Sequence, residues 1–365
     1  MVGSARRRTS VREGAGLPGA RGWQEGSAVT TYPPAVRSVG DGGADSDLGD
    51  LGDLLEVAAR IRASVETVIS GKADVIRIAL TAMLAEGHLL IEDVPGVGKT
   101  TLAKALARTL DCSVGRIQFT PDLLPGDLTG VSVFNQETRD FEFKPGAVFA
   151  NLVLGDEINR ASPKTQSALL ECMEERQVTV DGATYLLAVP FMVMATQNPV
   201  EMEGTYPLPE AQRDRFLARI SMGYPDESSE LAMLASHDGG SRLDEVRPVA
   251  DGTTIAALVK IVRDIYVAPA IRQYVVDLAV GTRSSGDLRL GASPRATLHL
   301  VRAAKAAAAL DGRDHVLPDD VQRLAVPVLA HRLLLTAEAQ VAGLRPQDVI
   351  VDLLHRVPVG GPGRR

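Results

Sequence analysis

Residues His88–Leu110 read HLLIEDVPGVGKTTLAKALARTL. A short apolar run comes first and ends at a loop that contains two glycines. In the residues after this loop, Lys99–Leu110, apolar side chains recur at helical spacing. This order of strand, loop and helix is typical of the first unit of a parallel α/β fold.

The loop between this strand and helix has the spacing of a phosphate-binding loop, although Asp93 replaces the first glycine of the generic pattern. Glycines let successive backbone N–H groups surround phosphate oxygens, and the start of a helix adds positive dipole charge. Lys99 would pair with the β- and γ-phosphates, and the Thr100 hydroxyl would bind Mg²⁺. We therefore expect ATP and Mg²⁺ to bind at Gly96, Val97, Gly98, Lys99, Thr100 and Thr101.

A second buried strand, predicted at Leu152–Leu154, leads to two carboxylates, Asp156 and Glu157. Ligands bind at the carboxyl ends of the strands in α/β sheets. Asp156 is expected to hold Mg²⁺ through its water shell, and Glu157 to orient or deprotonate the attacking water. Apolar runs that end in Asp-Glu are common, so this motif alone is weak evidence for a nucleotide site. The phosphate-binding loop upstream strengthens the interpretation.

Three further side chains complete the predicted catalytic set. Asn198 follows a strand predicted at Phe191–Ala195, and its amide would position water between the other two strand ends. Arg215 precedes the last predicted strand and would reach into the ATP site of a neighbouring subunit. Arg295 begins a later helix and is expected to contact the γ-phosphate from there.

The character of the chain changes after Tyr224, where helical patterns replace the alternation of strands and helices. We predict an α/β core domain over residues 51–223 and a smaller all-helical lid domain over residues 224–340. In the C-terminal segment, residues 341–365, an amphipathic helix at Pro346–Val359 is expected to pack on the lid, with docking of a partner protein as the alternative. Residues 1–50 lack an apolar period and are predicted to form a disordered tail.

Two hairpins are predicted to interrupt the α/β plan. The first joins Val131–Asn135 to Asp140–Lys144, and the second joins Gln177–Val180 to Ala183–Leu187 through the turn dipeptide Asp181-Gly182.

Composition and charge argue against several classes of protein. The net charge is −7, and residues 1–50 hold six arginines and six acidic residues, so the excess of negative charge lies in the rest of the chain. Such a charge disfavours nucleic acid as a partner. No apolar run is long enough for a membrane span, and the two cysteines have no paired spacing. We therefore expect a cytoplasmic protein.

Four stretches together resemble the MoxR family of AAA+ ATPases over residues 51–335. They are Ile91–Thr101 (IEDVPGVGKTT), Phe149–Glu175 (FANLVLGDEINRASPKTQSALLECMEE), Met194–Phe216 (MATQNPVEMEGTYPLPEAQRDRF) and Gly291–Ala296 (GASPRA). The resemblance implies an AAA+ P-loop core with a parallel sheet and a helical lid. It assigns Walker A to Lys99 and Thr100, Walker B to Asp156 and Glu157, sensor 1 to Asn198, the arginine finger to Arg215 and sensor 2 to Arg295.

The sequence departs from the family at two places in these motifs. Gly155 stands where alanine is usual and is expected to loosen the strand end beside Asp156 slightly. Arg213 stands where an aliphatic residue is common, so Arg213 and Arg160 are alternatives to Arg215 as the finger. The resemblance also places Ile69–Gly71 near the adenine.

The family resemblance implies a homo-oligomeric ring, most often hexameric, that uses ATP hydrolysis to remodel, mature or activate client proteins. A separate protein with a von Willebrand factor A domain is a possible partner. Three alternatives stay open. They are a magnesium-chelatase-like motor subunit, an ATP-gated scaffold with little turnover, and a nucleic-acid motor. Val178–Tyr185 in the second hairpin carries no basic residue, which disfavours the last of these.

Overall fold

The computed structural model describes residues 29–30, 49–69, 71–94, 96–198, 206–224, 227, 230–231 and 242–359. Most of the predicted tail and most of a helix predicted at Glu227–Ser236 therefore lie outside the described residues. Within the predicted tail, Val29–Thr30 forms a short strand parallel to part of the second hairpin. Among the described helices, none combines the length and the apolar character that a membrane span needs.

Five strands form the central sheet, and all of their pairings are parallel. The strands in chain order are β1 (Val29–Thr30), β2 (Leu89–Glu92), β3 (Val114–Gln118), β4 (Val131–Asn135), β5 (Asp140–Lys144), β6 (Leu152–Asp156), β7 (Gln177–Val180), β8 (Ala183–Leu186), β9 (Met192–Gln197), β10 (Ala218–Ile220), β11 (Leu288–Leu290) and β12 (Leu334–Leu335). The central order is β10-β2-β9-β6-β3. The two predicted hairpins are present as β4–β5 and β7–β8.

The inner strands of the central sheet are buried on both faces, as parallel sheets usually are. Successive side chains alternate between two apolar cores, so that Leu89 and Ile91 belong to one core and Leu90 to the other. Because all these strands run in one direction, β2, β9 and β6 end side by side. The residues directly after them in the sequence are thereby brought to one edge of the sheet.

Helices cover both faces of the sheet and form most of the C-terminal region. They are α1 (Leu51–Glu66), α2 (Ala73–Leu84), α3 (Lys99–Thr109), α4 (Pro125–Thr129), α5 (Pro163–Glu175), α6 (Glu210–Arg213), α7 (Gly252–Asp264), α8 (Pro269–Arg283), α9 (Pro294–Leu310), α10 (Pro318–Leu329), α11 (Ala337–Val341) and α12 (Pro346–Arg356). Prolines at the first positions of α8, α9 and α10 start these helices without losing a hydrogen bond.

The lid is helical, as predicted, with one addition that the sequence patterns did not indicate. β11 and β12 form a two-stranded antiparallel pair, and Thr336 N donates to Asp287 O at 2.9 Å beside it. Strands of three and two residues are too short to show an alternating apolar pattern. The pair joins the connection before α9 to the segment after α10.

The C-terminal helix α12 packs against the lid, as the sequence predicted. Val349, Ile350 and Leu353 are buried in the larger of the two cores. A Cβ placed on Gly281 of α8 would lie 2.8 Å from Leu353 Cδ2, so the glycine allows the two helices to approach closely. The amphipathic face of α12 therefore has a partner within the chain.

His88 is a buried polar group at the start of β2. Its Nδ1 accepts a hydrogen bond from Val193 N at 3.0 Å, and its Nε2 donates to Met173 O at 3.0 Å. Burial lowers the pKa of His88 to about 4. The imidazole is therefore neutral in the folded protein, because a proton on Nδ1 would remove the acceptor that Val193 needs.

We expect acid to destabilise the fold through His88. Because the folded-state pKa lies below the ordinary value of 6.5, the stabilisation is complete above about pH 6.5 and is lost as the pH falls towards 4. The loss between pH 7.5 and pH 5 should be about 2 kcal/mol. Urea unfolding across this range should show a smaller pH dependence for His88→Gln than for the wild type. The exposed His355→Gln is the control, and equal slopes in all three proteins would contradict the assignment.

Candidate functional site

The loop after β2 has the backbone geometry of a phosphate-binding loop. Gly96 and Gly98 have positive φ values of 84° and 93°, which glycine adopts without strain. Gly98 is the N-cap of α3, and no described side chain caps its first N–H groups. These N–H groups are therefore available to an anion. Thr100 and Thr101 follow in the first turn of α3, both half-buried.

Lys99 lies over this loop. Its Nζ donates to Asp93 O at 2.7 Å, so the ammonium group is directed to the loop that would hold phosphate. Ile69 and Met222 flank the same loop, since a Cβ placed on Gly98 would lie 3.9 Å from Ile69 Cδ1 and 3.7 Å from Met222 Cε. The structure thus places Ile69, the first residue of the segment expected near the adenine, beside the predicted phosphate-binding loop.

Asp93 has a structural role that explains its presence at a glycine position. Its carboxylate is only 8% exposed and accepts hydrogen bonds from Val94 N (2.9 Å), Ser221 Oγ (3.0 Å) and Gly223 N (2.7 Å). Burial by itself would raise the pKa of Asp93, but these hydrogen bonds outweigh burial and lower it. Asp93 therefore ties the phosphate-binding loop to the segment that follows β10.

The acidic pair lies at the carboxyl end of β6, as predicted. Asp156 is 7% exposed, and its Oδ2 accepts from Arg116 Nε of the edge strand β3 at 3.1 Å. Glu157 follows with φ 61°, and its backbone N donates to Thr196 Oγ1 at 2.9 Å. Because Glu157 has a left-handed backbone, the chain turns out of the strand directly after Asp156. The Asp156 and Glu157 carboxylates therefore point in different directions.

Two side chains hold the Glu157 carboxylate in place. Gln118 Nε2 donates to Glu157 Oε2 at 3.0 Å, and Arg160 Nε lies 3.1 Å from the same oxygen. Sequence patterns did not identify Gln118, although a polar residue at the carboxyl end of a strand was an available signal. Arg160 thus contacts the predicted catalytic carboxylate of its own chain.

Asn198 lies between the two motifs, as its position in the sequence predicted. It follows β9, which pairs with β2 on one side and β6 on the other. Asn198 is 5% exposed, and the preceding Gln197 accepts from Asp93 N at 3.1 Å. The structure thus brings Lys99, Asp156, Glu157 and Asn198 to the same edge of the sheet.

Gly155 does not loosen the end of β6, contrary to expectation. A Cβ at this position would lie 2.9 Å from Phe119 Cε2, so the Phe119 ring, which is fully buried, fills the space beside the glycine. The small residue and the large ring are complementary.

Replacing Gly155 with alanine should therefore destabilise the protein by about 1–3 kcal/mol, because the added methyl group overpacks a buried site. The free energy of unfolding measures the effect. A second change, Phe119→Leu, should recover part of the loss in the double variant. Gly286→Ala is the control, since a Cβ there meets nothing within 4 Å. Equal stability of Gly155→Ala and the control would show that the site can relax.

Arg215 and Arg295 share one carboxylate, Glu174, near the end of α5. Arg215 Nη2 lies 3.1 Å from Glu174 Oε2, and Arg295 Nη2 donates to Glu174 Oε1. Arg215 comes shortly before the start of β10, and the adjacent Met173 is bound to His88 at the start of β2. Both arginines therefore lie at the amino edge of the sheet.

This placement separates the two arginines from the phosphate-binding loop of their own chain. The four residues of β2 span about 13 Å between the two edges. The expectation that Arg295 contacts the γ-phosphate from the lid does not hold within one chain. The physical reason is that the lid packs its helix α9 against the amino edge, beside α5, and not over the carboxyl edge.

Arg213 does not lie with Arg215 at the amino edge of the sheet. It lines a cavity with Glu92 and Gln197, which end β2 and β9, and its buried Nε has no hydrogen-bond partner among the described residues. Burial lowers the pKa of Arg213. Among the described contacts, Arg215 is the candidate finger that shares a carboxylate with the second predicted γ-phosphate ligand, Arg295.

Asp214, which precedes Arg215 in the sequence, connects the core to the lid. The sequence patterns assigned it no role. Its carboxylate accepts from Ser293 Oγ at 2.8 Å and from Arg332 Nε at 2.8 Å, and Arg295 Nη1 lies 3.9 Å away. Arg332 is buried, which lowers its pKa to about 10. This network fixes the segment that carries Arg215 against the start of α9.

Comparisons with known proteins agree with this architecture. Residues 88–218 match the model of the ATPase family associated with various cellular activities (AAA), and residues 280–353 match the AAA lid domain. The chain is 47% identical over 307 residues to the Bacillus subtilis protein YeaC, covering 84% of this chain and 96% of YeaC. It is 39% identical to Chaperone MoxR1 of Mycobacterium tuberculosis, covering 94% and 91% of the two chains.

A solved structure shares the same fold. It is that of a protein of Cytophaga hutchinsonii assigned as an ATPase, with a TM-score of 0.80 and 38% sequence identity. The match covers 85% of this chain and 96% of the solved chain.

Proposed function

Because this chain belongs to the MoxR family of AAA+ ATPases, we propose that it hydrolyses ATP as a hexameric ring. The ring would use the energy to remodel client proteins. The observation that carries this proposal is the meeting of Lys99, Asp156, Glu157 and Asn198 at one sheet edge. Arg215 and Arg295 lie together at the other edge, and this placement supports their action on another copy of the chain.

ATP binding rests on the loop and the start of α3. Gly96, Val97 and Gly98 offer backbone N–H groups, and the α3 dipole favours the negative phosphates. The Lys99 ammonium group, now bound to Asp93 O, would exchange this carbonyl for phosphate oxygens. Thr101 in the same turn would contact the α-phosphate.

The residues present fit a nucleotide-bound Mg²⁺. Carboxylate and hydroxyl oxygens are ligands that Mg²⁺ prefers, and it is usually held by few protein groups together with phosphates. Asp156 and Thr100 would supply these oxygens, with Arg116 giving up its contact with Asp156. When bound, the ion neutralises phosphate charge during transfer.

Hydrolysis needs a base and a water-positioning group. Glu157 would accept the proton of the attacking water, and Gln118 and Arg160 would keep its carboxylate at the strand end. The Asn198 amide, between the two Walker strands, would orient that water. The two groups approach the γ-phosphate position from neighbouring strands.

The placement of the arginines supports the proposal of a ring. Arg215 and Arg295 lie about one strand length from their own loop, and Glu174 binds both side chains. We propose that both act on the ATP of the adjacent subunit, where they stabilise the charge that develops on the phosphates. The site is then complete only between two copies of the chain.

Client proteins would contact the exposed hairpin β4–β5. Phe134 and Phe141 are 50% and 67% exposed and form an edge-to-face pair with ring centroids 5.4 Å apart. Exposed aromatic pairs of this kind are favourable contacts for proteins. We propose a protein client in the cytoplasm, with a separate von Willebrand factor A domain protein as a candidate partner and no role for nucleic acid.

Phosphate release by the purified chain tests the proposal. Mg²⁺-dependent release from ATP, together with ATP-dependent assembly seen by mass photometry, is the expected result. ATP binding without phosphate release, with or without a client, would favour an ATP-gated scaffold. Absence of ATP binding in the presence of Mg²⁺ would exclude every form of the proposal, including a magnesium-chelatase-like motor.

A further inference from the structure

A cavity of about 410 Å³ lies at the amino edge of the sheet, between the core and the lid. We name it the arginine cavity, because five of its lining residues are arginines: Arg176, Arg215, Arg263, Arg295 and Arg302. Glu86 and Glu174 are its acidic residues, and His88 and His299 also line it. Arg215 and Arg295, the proposed trans-acting pair, thus form only part of a larger cationic surface.

Charges in the arginine cavity do not balance. Glu86 binds Arg176 and Arg263 at 2.7 and 2.6 Å, and Glu174 binds the two trans-acting arginines. Each carboxylate is therefore shared by two guanidinium groups, which leaves an excess of positive charge. Burial lowers the pKa of His88 to about 4 and of His299 to about 3, so the imidazoles add no charge near neutral pH.

Arg302 is the lining arginine that shares neither carboxylate. It is exposed, and it makes no hydrogen bond or ion pair with any residue that the structure describes. It lies seven positions after Arg295 on α9, so both side chains project from the same face of the helix, about 10 Å apart along its axis. His299 lies between them on that face, with its Nδ1 accepting from Arg332 at 2.6 Å.

An elongated anion fits these features better than a single carboxylate. Guanidinium groups bind phosphate oxygens with two parallel hydrogen bonds, and an excess of cations favours a ligand with several negative charges. A triphosphate that reaches Arg215 and Arg295 at its γ end would present its other phosphates along α9. Among the described residues that line the cavity, Arg302 is the unpaired cation in that direction.

We propose that Arg302 is a third trans-acting contact, which binds the triphosphate of the neighbouring subunit beyond the phosphate held by Arg215 and Arg295. This inference rests on the proposed function, since it needs ATP bound at an interface between subunits. Arg302 would contribute mainly to productive binding of the triphosphate, while Arg215 would act on the transferred phosphate.

Two substitutions test this role. Arg302→Gln removes the charge and should lower kcat/KM for ATP roughly 10- to 100-fold, because a hydrogen bond to a charged group is lost. Arg302→Lys should recover part of that loss. The control is Arg289→Gln, which changes another exposed lid arginine outside the arginine cavity and should leave kcat/KM unchanged. Thermal melting of each variant checks that the exposed substitutions leave the fold intact.

Mixed rings test whether Arg302 acts in trans. A Lys99→Ala subunit cannot hold ATP but still offers Arg302, whereas an Arg302→Gln subunit holds ATP. Mixing the two should raise turnover per Arg302→Gln subunit above that of the pure variant. Wild-type kcat/KM in Arg302→Gln, or a loss that mixing does not relieve, would overturn the proposal.

Failure of the proposed function has a different pattern. In that case the wild type releases no phosphate, or Arg215→Ala hydrolyses ATP normally. If the wild type is active and Arg215→Ala is not, normal kinetics in Arg302→Gln refute only the role of Arg302.

Discussion

Replacing Glu157 with glutamine should abolish ATP turnover and leave ATP binding intact. The amide keeps the size and the hydrogen bond to Gln118 but cannot accept the proton of the attacking water. Removing a general base of this kind typically lowers the rate by about 10²- to 10⁴-fold. Steady-state phosphate release measures turnover, and fluorescence titration with a labelled ATP analogue measures binding.

The matched control is Glu175→Gln, which removes an exposed carboxylate near the end of α5, away from the Walker B strand end. Its phosphate release should equal that of the wild type. Wild-type turnover in Glu157→Gln would show that another group activates the water, and loss of ATP binding would indicate a structural defect. A variant that binds ATP without cleaving it should also retain client proteins, which a pull-down would identify.

Replacing Arg215 with alanine should abolish turnover by an effect on the neighbouring subunit. An arginine finger supplied from outside the site contributes about 10³- to 10⁵-fold to the rate of phosphoryl transfer. Arg215 is partly exposed, and Glu174 keeps Arg295 as a partner after the substitution, so we expect the fold to survive. ATP binding by a single subunit should be unchanged, because the arginine lies far from its own loop.

Complementation separates action in trans from action in cis. Neither Arg215→Ala nor Lys99→Ala should turn over alone, for different reasons. In a mixed ring, ATP held by an Arg215→Ala subunit faces an intact Arg215 from a Lys99→Ala neighbour, so activity should reappear. The control is Arg289→Ala, which removes an exposed arginine from the lid and should leave turnover unchanged. Mixtures that stay inactive would contradict the trans role of Arg215 and would favour Arg213 as the arginine finger.

Much of the site was predictable because its chemistry is carried by short continuous motifs. The loop, the acidic pair and Asn198 each come directly after a strand, and parallel strands bring the residues at their carboxyl ends to a common edge. The role of Asp93 depends on residues far away in the sequence. Its replacement of glycine appeared as a weakness of the motif, whereas the structure shows a buried carboxylate that holds Ser221 and Gly223, about 130 residues later in the sequence.

Residues that act through distant partners left no comparable signal. Gln118 and Arg302 belong to no motif that the sequence indicated, and Asp214 lies in the stretch Met194–Phe216 without an assigned role. Each depends on a partner or cavity formed by remote segments. Gly155 was misjudged for the same reason, since the ring that fills its space belongs to another strand end, at Phe119.

By itself, the sequence determined the α/β core, the helical lid and both hairpins, and it predicted the residues that would hold ATP, because these depend on local periodicity and on motifs of consecutive residues. Only the tertiary structure decided that Arg215 and Arg295 meet at Glu174 on the edge of the sheet away from Lys99. The direction in which a lid packs on a sheet depends on contacts summed over many distant side chains, such as Asp214 with Ser293 and Arg332. No periodic pattern along the chain records that direction.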